Sequence, residues 1–447
     1  MQETTETDKK SDLIMEQLPF SQVSVLLDTI CSKRRPADKL ELLQHVWTRF
    51  PHDNAFPLLR LFLPHLDHSR GVYGIKESGI SKAYIAVLGL SDKSLHAHRL
   101  KNYKDPKFAK SGAAGDFGLA VLEVMRVRAP SVSQWTIAAT NHFLDELATA
   151  QDAQSRKTLF ARLASELTAK EQMWIVRIIL KDMKLGIRHE SILKHFHPKA
   201  MDVFNATSSL EEVCRAVLNP QLLKDFSMDC IVPMRPVRPM LAARTDWDKI
   251  IKLMKGSPIG IEIKFDGERL IIHKKGSEIR LFSRNSLDLT DRFGYGKVLL
   301  PIALRCIKCD SCILDGELVS WNSETESFEP FGTNRSIALS QSVFDSEVSQ
   351  LASLSDSPDS PQSTEVAQVD EIDQQLLCHS KNLCYIAFDI LYRNGESLVS
   401  KPLNERKRIL QECIKTEPHR FDVAEYFVDG STTEDIMAKL DWASSLQ

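Results

Sequence analysis

The chain has 447 residues, 43% of them hydrophobic and 26% charged, with 57 Lys and Arg against 60 Asp and Glu for a net charge of −3. That length and apolar content predict two sizeable cores rather than one. No apolar stretch approaches a membrane span, the polar start carries no secretory signal, and nine cysteines without a secretory setting read as reduced thiols in a nuclear or cytosolic protein.

Residues 1–17 read as a disordered start and residues 18–235 as a helical domain. Apolar residues at three- and four-residue spacings predict helices over 23–30, 40–50, 83–90, 117–127 and 159–167. The clearest run is Lys170 to Lys184, with Met173, Trp174, Ile178 and Met183 on overlapping faces and Gly186 placed to end the helix. Lys101, Lys104, Lys107 and Lys110 cluster with Tyr103 and Phe108 in an expected loop, and Lys181, Lys184 and Arg188 lie at an expected helix end. Each of these cations is either part of a solvated face or a contact to phosphate. Residues 1–240 hold a basic excess and the remainder an acidic one, a balance that suits gripping a phosphate backbone without sequence preference. The Pro-rich run Pro233 to Pro239 reads as a linker.

Beyond it, Ile259, Ile261 and Ile263 alternate with Gly260, Glu262 and Lys264, the period of a half-buried strand. Asp266-Gly267 then predicts a hairpin turn into the apolar run Leu270 to Ile272. On this reading Lys264 is either the polar side of a hairpin or a nucleophile. An amine attacks phosphorus only as the free base, a form that neighbouring cations and loss of water favour, and Arg269 is the candidate cation. Ser283-Arg284-Asn285 reads as a polar hairpin tip after the next strand. Cys312 to Val319 is an apolar strand that is expected to end in Asp315-Gly316-Glu317, leaving carboxylates at its terminus. Residues of about 340–380, rich in Ser, Asp and Gln and without Lys or Arg, read as a disordered acidic insertion whose Ser357-Pro358 and Ser360-Pro361 pairs permit phosphorylation. Tyr385 to Tyr392 reads as a core strand. Cys306, Cys309 and Cys312 recur at three-residue intervals, but no fourth ligand stands at finger-like spacing.

Lys264-Phe265-Asp266-Gly267-Glu268-Arg269, Ser283-Arg284-Asn285, Ile313-Leu314-Asp315-Gly316-Glu317 and Phe388-Asp389-Ile390-Leu391 resemble, in order and spacing, the K-x-D-G-x-R, S-R-N, I-L-D-G-E and F-D-I/V-L motifs of the covalent nucleotidyltransferases. A long helical region ahead of the lysine separates the chain from capping enzymes and RNA ligases. Tyr73-Gly74-Ile75-Lys76-Glu77, Gly115-Asp116-Phe117, Trp174 to Gly186 and Arg238-Pro239-Met240-Leu241-Ala242 resemble the ligase IV branch of eukaryotic ATP-dependent DNA ligases more closely than ligases I or III.

The resemblance implies a multidomain fold: an all-α DNA-binding domain over 18–235, then an α+β covalent nucleotidyltransferase (adenylation) domain over 236–447, ATP-grasp-like with antiparallel sheets and incomplete at its C-terminus. It implies ATP as AMP donor, Mg²⁺, and a lysyl-AMP formed on Lys264 before AMP passes to a 5′-phosphate and a 3′-hydroxyl displaces it, sealing DNA breaks in non-homologous end joining. Nucleotide contacts fall on Glu262 for adenine, Ile263, Phe265, Arg284, and Arg269 with Glu317 on the ribose and metal side; Phe388 is the stacking ring. Lys101, Lys104, Lys107, Lys110, Lys181, Lys184 and Arg188 are the DNA-contact candidates. The partners implied are duplex DNA with nicks or ends and, for the full-length family, a coiled-coil scaffold; no membrane is involved and the location is the nucleus. The E-G-x-x-x-K and K-x-K motifs, the OB-fold and the BRCT repeats are not found in the sequence, so the competing expectation is a non-sealing DNA-binding or scaffold form.

Overall fold

The computed structural model describes residues 16–49, 55–108, 114–225, 231–255, 257, 259–342 and 380–429. Lys110, most of the N-terminal segment and nearly all of the acidic insertion with its Ser-Pro pairs lie outside the described residues. Two compact units divide the chain at 226/227. A helical unit and a mixed α/β unit is the architecture expected from the sequence.

The first unit is helical throughout: α1 (Phe20–Ser32), α2 (Pro36–Arg49), α3 (Phe56–Phe62), α4 (Glu77–Val87), α5 (Leu95–Lys101), α6 (Phe117–Met125), α7 (Ile137–Thr149), α8 (Ala153–Glu166), α9 (Ala169–Ile179), α10 (His189–Phe196), α11 (Ala200–Thr207), α12 (Leu210–Leu218) and α13 (Pro220–Asp225). Several of their starts are set by short polar side chains: Ser94, Asp116, Thr136, Asp152 and Ser209 each accept a hydrogen bond from a backbone N–H of the first turn. Helix α9 begins with a capping box between Thr168 and Glu171 and buries Trp174, whose Nε1 donates to Asp28 at 3.0 Å. It ends at Ile179, short of the Lys184 expected from periodicity. Lys181 and Lys184 take left-handed backbone (φ 56° and 52°), so the chain has already left the helix, and Gly186 (φ 67°) sits in the following loop rather than at its cap.

The second unit opens with α14 (Trp247–Met254) and holds β1 (Ile259–Glu262), β2 (Glu268–Lys275), β3 (Glu278–Ser283), α15 (Tyr295–Cys306), β4 (Ser311–Asn322), β5 (Ser327–Phe328), β6 (Lys381–Arg393), β7 (Glu396–Ser397), α16 (Leu403–Cys413), β8 (Phe421–Val423) and β9 (Tyr426–Asp429). The main sheet runs β3-β2-β4-β6-β7, with β5 on β4 and β8 parallel to β6. Leu270, Ile272, Leu281, Leu314, Leu318 and Tyr385 share one core with Val298, Leu299 and Ile302 of α15 and Leu410 of α16. By alternation, Arg269, Ile271 and His273 of β2 and Ile313, Asp315 and Glu317 of β4 face the other way, in the register Arg269↔Glu317, Ile271↔Asp315 and His273↔Ile313.

The expected hairpin around Lys264 does not form. Strand β1 pairs with β9, Glu262 opposite Tyr426, in a separate two-stranded sheet, while β2 lies between β3 and β4. Asp266-Gly267 therefore belongs to a passage between sheets. Gly267 is there because a Cβ would meet the Leu318 carbonyl oxygen at 2.3 Å. Asp315-Gly316-Glu317 likewise lies in the middle of β4, not at its end, since Leu318 to Asn322 continue the buried strand. Gly316 is needed at that interior position: a Cβ would stand 2.4 Å from the Tyr385 ring and 2.6 Å from the Ile386 oxygen.

The Pro-rich run is packed down on the second unit. Ile231 and Val237 are buried, the Met234 N–H donates to His273 Nδ1 at 3.1 Å, and Met240 offers its carbonyl to Arg269. Burial pushes the His273 imidazole down to about 3, and its Nε2 has no partner among the described residues. With the folded pKa depressed, the stability this neutral ring contributes is present above about pH 6.5 and is lost as pH falls from there towards 3. In urea unfolding of the chain, the second unit is expected to lose about 1.4 kcal/mol more per pH unit through that window than His273→Gln does. Equal acid sensitivity in the two proteins would contradict it.

Candidate active site

Lys264 is exposed and lies in the irregular passage between β1 and β2, flanked by half-buried Ile263 and Phe265. Beneath it the polar face of the main sheet supplies Arg269, Asp315 and Glu317. Arg269 donates from Nε to Asp315 Oδ1 at 2.9 Å and from Nη2 to Asp315 Oδ2 at 2.6 Å, and the same Nη2 reaches the Met240 carbonyl at 2.8 Å. Burial opposes charge on both partners. It raises the Asp315 carboxyl; on Arg269 its lowering effect is outweighed by Asp315 together with Glu317 and Tyr385, so the guanidinium is shifted upward. The fork, with both carboxylate oxygens occupied, is the geometry of an ionised pair. Arg269 is therefore largely spent on Asp315 and is not the free cation beside Lys264 that the sequence suggested.

Glu317 is half-buried and stays outside that fork. Burial pushes its carboxyl up, Arg269 and Lys264 pull it back, and the Gly267 N–H donates to it. The lysine passage is thus tied to β4 through the same carboxylate that faces the lysine charge.

Phe388 is set by a bulge. The β4–β6 ladder passes from Asp315↔Asp389 to Gly316↔Ala387, leaving Phe388 as the extra residue of β6. Its half-buried ring lies 5.3 Å from the Arg269 guanidinium carbon, and it joins Phe265 against a small apolar cluster of Val319, Cys384, Ile386 and Ala424. Arg284 stands on an exposed turn closed by Ser286 N to Ser283 O at 2.8 Å, and since Ser283 pairs with Leu270, it leaves the sheet at the level of Arg269. Lys264, Glu317, Arg269 and Phe388 thus gather on one face, with Glu262 at the end of β1 and Arg284 at the rim.

Sequence reasoning missed three supports. Asp315 stood in a quoted motif without a role. Arg406 forks onto Asp389 at 2.8 and 2.9 Å, and Lys407 contacts both Glu262 and the Phe388 carbonyl. Both cations sit in Glu405-Arg406-Lys407-Arg408, which reads as a solvated charge run and gives no sign of burial.

In the first unit a cleft of about 1310 Å³ brings together Gly74, Lys76, Gly115, Asp116, Lys181 and Lys184 from three of the strings singled out above, and adds Lys82, Arg156 and Lys157. Arg177 crosses from α9 to Asp116 at 2.7 Å and fixes its floor. Lys181, pushed down by burial, lines the cleft with Lys184, which pairs with Asp182. Both lie in the loop after α9, not on its end. Arg188 precedes α10 and is exposed. Lys101 is the last residue of α5, not a loop residue, and pairs with Asp92 at 2.6 Å. Lys104 lies over the Tyr103 ring and Lys107 is exposed; none of these three lines the cleft.

Residues 19–197 match the family model described as DNA ligase N terminus, and residues 239–445 match the ATP dependent DNA ligase domain. Among curated relatives, DNA ligase 4 of Dictyostelium discoideum is 31% identical over 91% of this chain and 38% of its own length. The Arabidopsis thaliana protein of that name is 33% identical over 91% and 31%, and the Homo sapiens one 31% over 93% and 44%. The chain spans less than half the length of these relatives.

The Arg269–Asp315 fork carries a direct stability expectation. Asp315→Asn leaves a buried guanidinium without its anion and is expected to cost about 3–5 kcal/mol in urea unfolding, with part of the loss recovered in Asp315→Asn/Arg269→Gln. Strict additivity of the two substitutions would contradict the pairing.

Proposed function

The chain belongs to the ATP-dependent DNA ligases, and on that premise we propose that its second unit transfers AMP from ATP to Lys264 as the first step in joining DNA ends. The observation that supports this best is the gathering of Lys264, Glu317, Arg269 and Phe388 on one sheet face. Lys264 Nζ attacks the α-phosphorus; a P–N bond forms as the bond to pyrophosphate breaks. Lys264 is exposed and held between two sheets, so its amine can reach a phosphate while the backbone around it stays fixed. Phe388 offers a ring face for adenine, Glu262 a carboxylate for its 6-amino group, and the passage Ile263 to Phe265 lies along the nucleotide. Arg269, oriented by Asp315, and Glu317 serve the ribose side, and Arg284 the phosphate at the rim.

Mg²⁺ fits the donor set in one way. A hard cation that keeps most of its waters needs one or two carboxylates besides substrate phosphate oxygens, and Glu317, outside the Arg269–Asp315 fork, is the carboxylate that would hold it through water. When bound, the ion supplies neutralisation of charge on the phosphate oxygens.

The first unit's cleft is the proposed DNA surface. Lys76, Lys82, Lys157, Lys181 and Lys184 offer charge to phosphates without reading bases. In the whole protein these parts serve double-strand break repair by non-homologous end joining in the nucleus, with a coiled-coil scaffold as partner. Among the described residues no helix is long and apolar enough to cross a membrane.

Two measurements test this reading. Incubation with α-labelled ATP and Mg²⁺ is expected to leave acid-labile label on the chain and none on Lys264→Ala; label that persists in the variant would remove the nucleophile assignment, and none in the wild type would favour a binding role alone. For DNA, Lys157→Ala/Lys184→Ala is expected to weaken duplex binding regardless of sequence and to flatten the log Kobs against log salt slope by about 0.9 per lysine. An unchanged slope would move the DNA surface elsewhere.

A further inference from the structure

The ammonium of Lys407 is almost wholly buried, its side chain 4% exposed, and reaches two acceptors on different elements: the Glu262 carboxylate at the end of β1 and the Phe388 carbonyl in β6. Phe388 is the bulged residue of its strand, so its carbonyl stands outside the regular β4–β6 pairing and is open to a side-chain donor. Next to Lys407, Arg406 forks onto Asp389 and donates to the Lys401 carbonyl at 2.6 Å, which fixes the start of α16 against β6. Burying an ammonium is costly unless it is paired and hydrogen-bonded, so the geometry of this contact is tightly determined.

We infer that Lys407 is the positioning residue for purine recognition: it sets the Glu262 carboxylate and the Phe388 ring at a fixed separation, so that base stacking and the 6-amino contact are met together. This rests on the reading of Glu262 and Phe388 as base contacts given above. Lys407 occupies Glu262 Oε1 and leaves Oε2 to accept from an amino group. A carboxylate so held favours adenine, whose 6-position donates, over guanine, whose 6-oxygen repels it. Glu262 lies in the two-stranded sheet and Phe388 in the main sheet, so Lys407 is also a direct link between the two strand systems on either side of Lys264. Lys407 does not touch the nucleotide in this reading; it acts through its two acceptors.

The test separates recognition from transfer by measuring equilibrium nucleotide binding to the full chain carrying Lys264→Ala. Two ligands are compared, ATP and purine riboside triphosphate, which lacks only the 6-amino group. Adding Lys407→Met is expected to weaken both ligands by loosening the stack on Phe388 and to weaken ATP about tenfold more than purine riboside triphosphate, while Lys407→Arg retains most of the preference. A role confined to stability would weaken both ligands alike, and that result, or an unchanged preference, overturns the inference. So does failure of the Lys264→Ala chain to bind ATP. Should Lys407→Met not fold, Glu262→Gln reads the same coupling from the other partner: the 6-amino preference falls if Glu262 is the contact, and an intact preference overturns it. Failure of Lys264 to take up label in the separate transfer experiment leaves this binding readout standing.

Discussion

The forked pair between Arg269 and Asp315 is the contact on which the working face of the second unit depends. It spans two neighbouring strands diagonally, draws the Met240 carbonyl onto the same guanidinium, and lays that guanidinium against the Phe388 ring. A buried charge of either sign alone would cost several kcal/mol, so each partner is held in place by the need of the other. One consequence is that Arg269 has little charge to spare for Lys264. Glu317 on this face does interact with the lysine charge, and it also accepts the Gly267 N–H and so holds the passage that carries the lysine.

Much of this was legible from local sequence. Apolar periodicity and the four short motifs pointed to the helical first unit, to strands in the second and to the candidate residues that the main sheet brings together. Pairing was not legible. Asp266-Gly267 between two apolar runs has every mark of a hairpin, yet Gly267 is required by its approach to the Leu318 oxygen, and β1 finds its partner in Tyr426–Asp429, far along the chain. Asp315-Gly316-Glu317 looked like a strand end because Gly and two carboxylates usually interrupt a strand. Here the carboxylates share one face while Gly316 makes room for Tyr385 on the other. The run from Lys170 outlasts its helix because periodicity does not register the left-handed residues Lys181 and Lys184.

Charge was the least legible property. Arg406 and Lys407 lie in a run that any reading by composition assigns to solvent, and both are buried against acceptors on other elements. Conversely Lys101, grouped with a basic cluster, is held by Asp92, while Lys82 and Lys157, unremarked in the sequence, line the cleft of the first unit. Long-range partners decide what a lysine does, and spacing along the chain carries no record of them.

The assignment of Lys264 as the attacking amine is tested most directly by mass. After incubation with ATP and Mg²⁺, the intact chain is expected to gain the mass of one adenylyl group, AMP less one water, and fragmentation of its peptides to place that mass on Lys264. An adduct mapped to any other side chain would contradict the assignment.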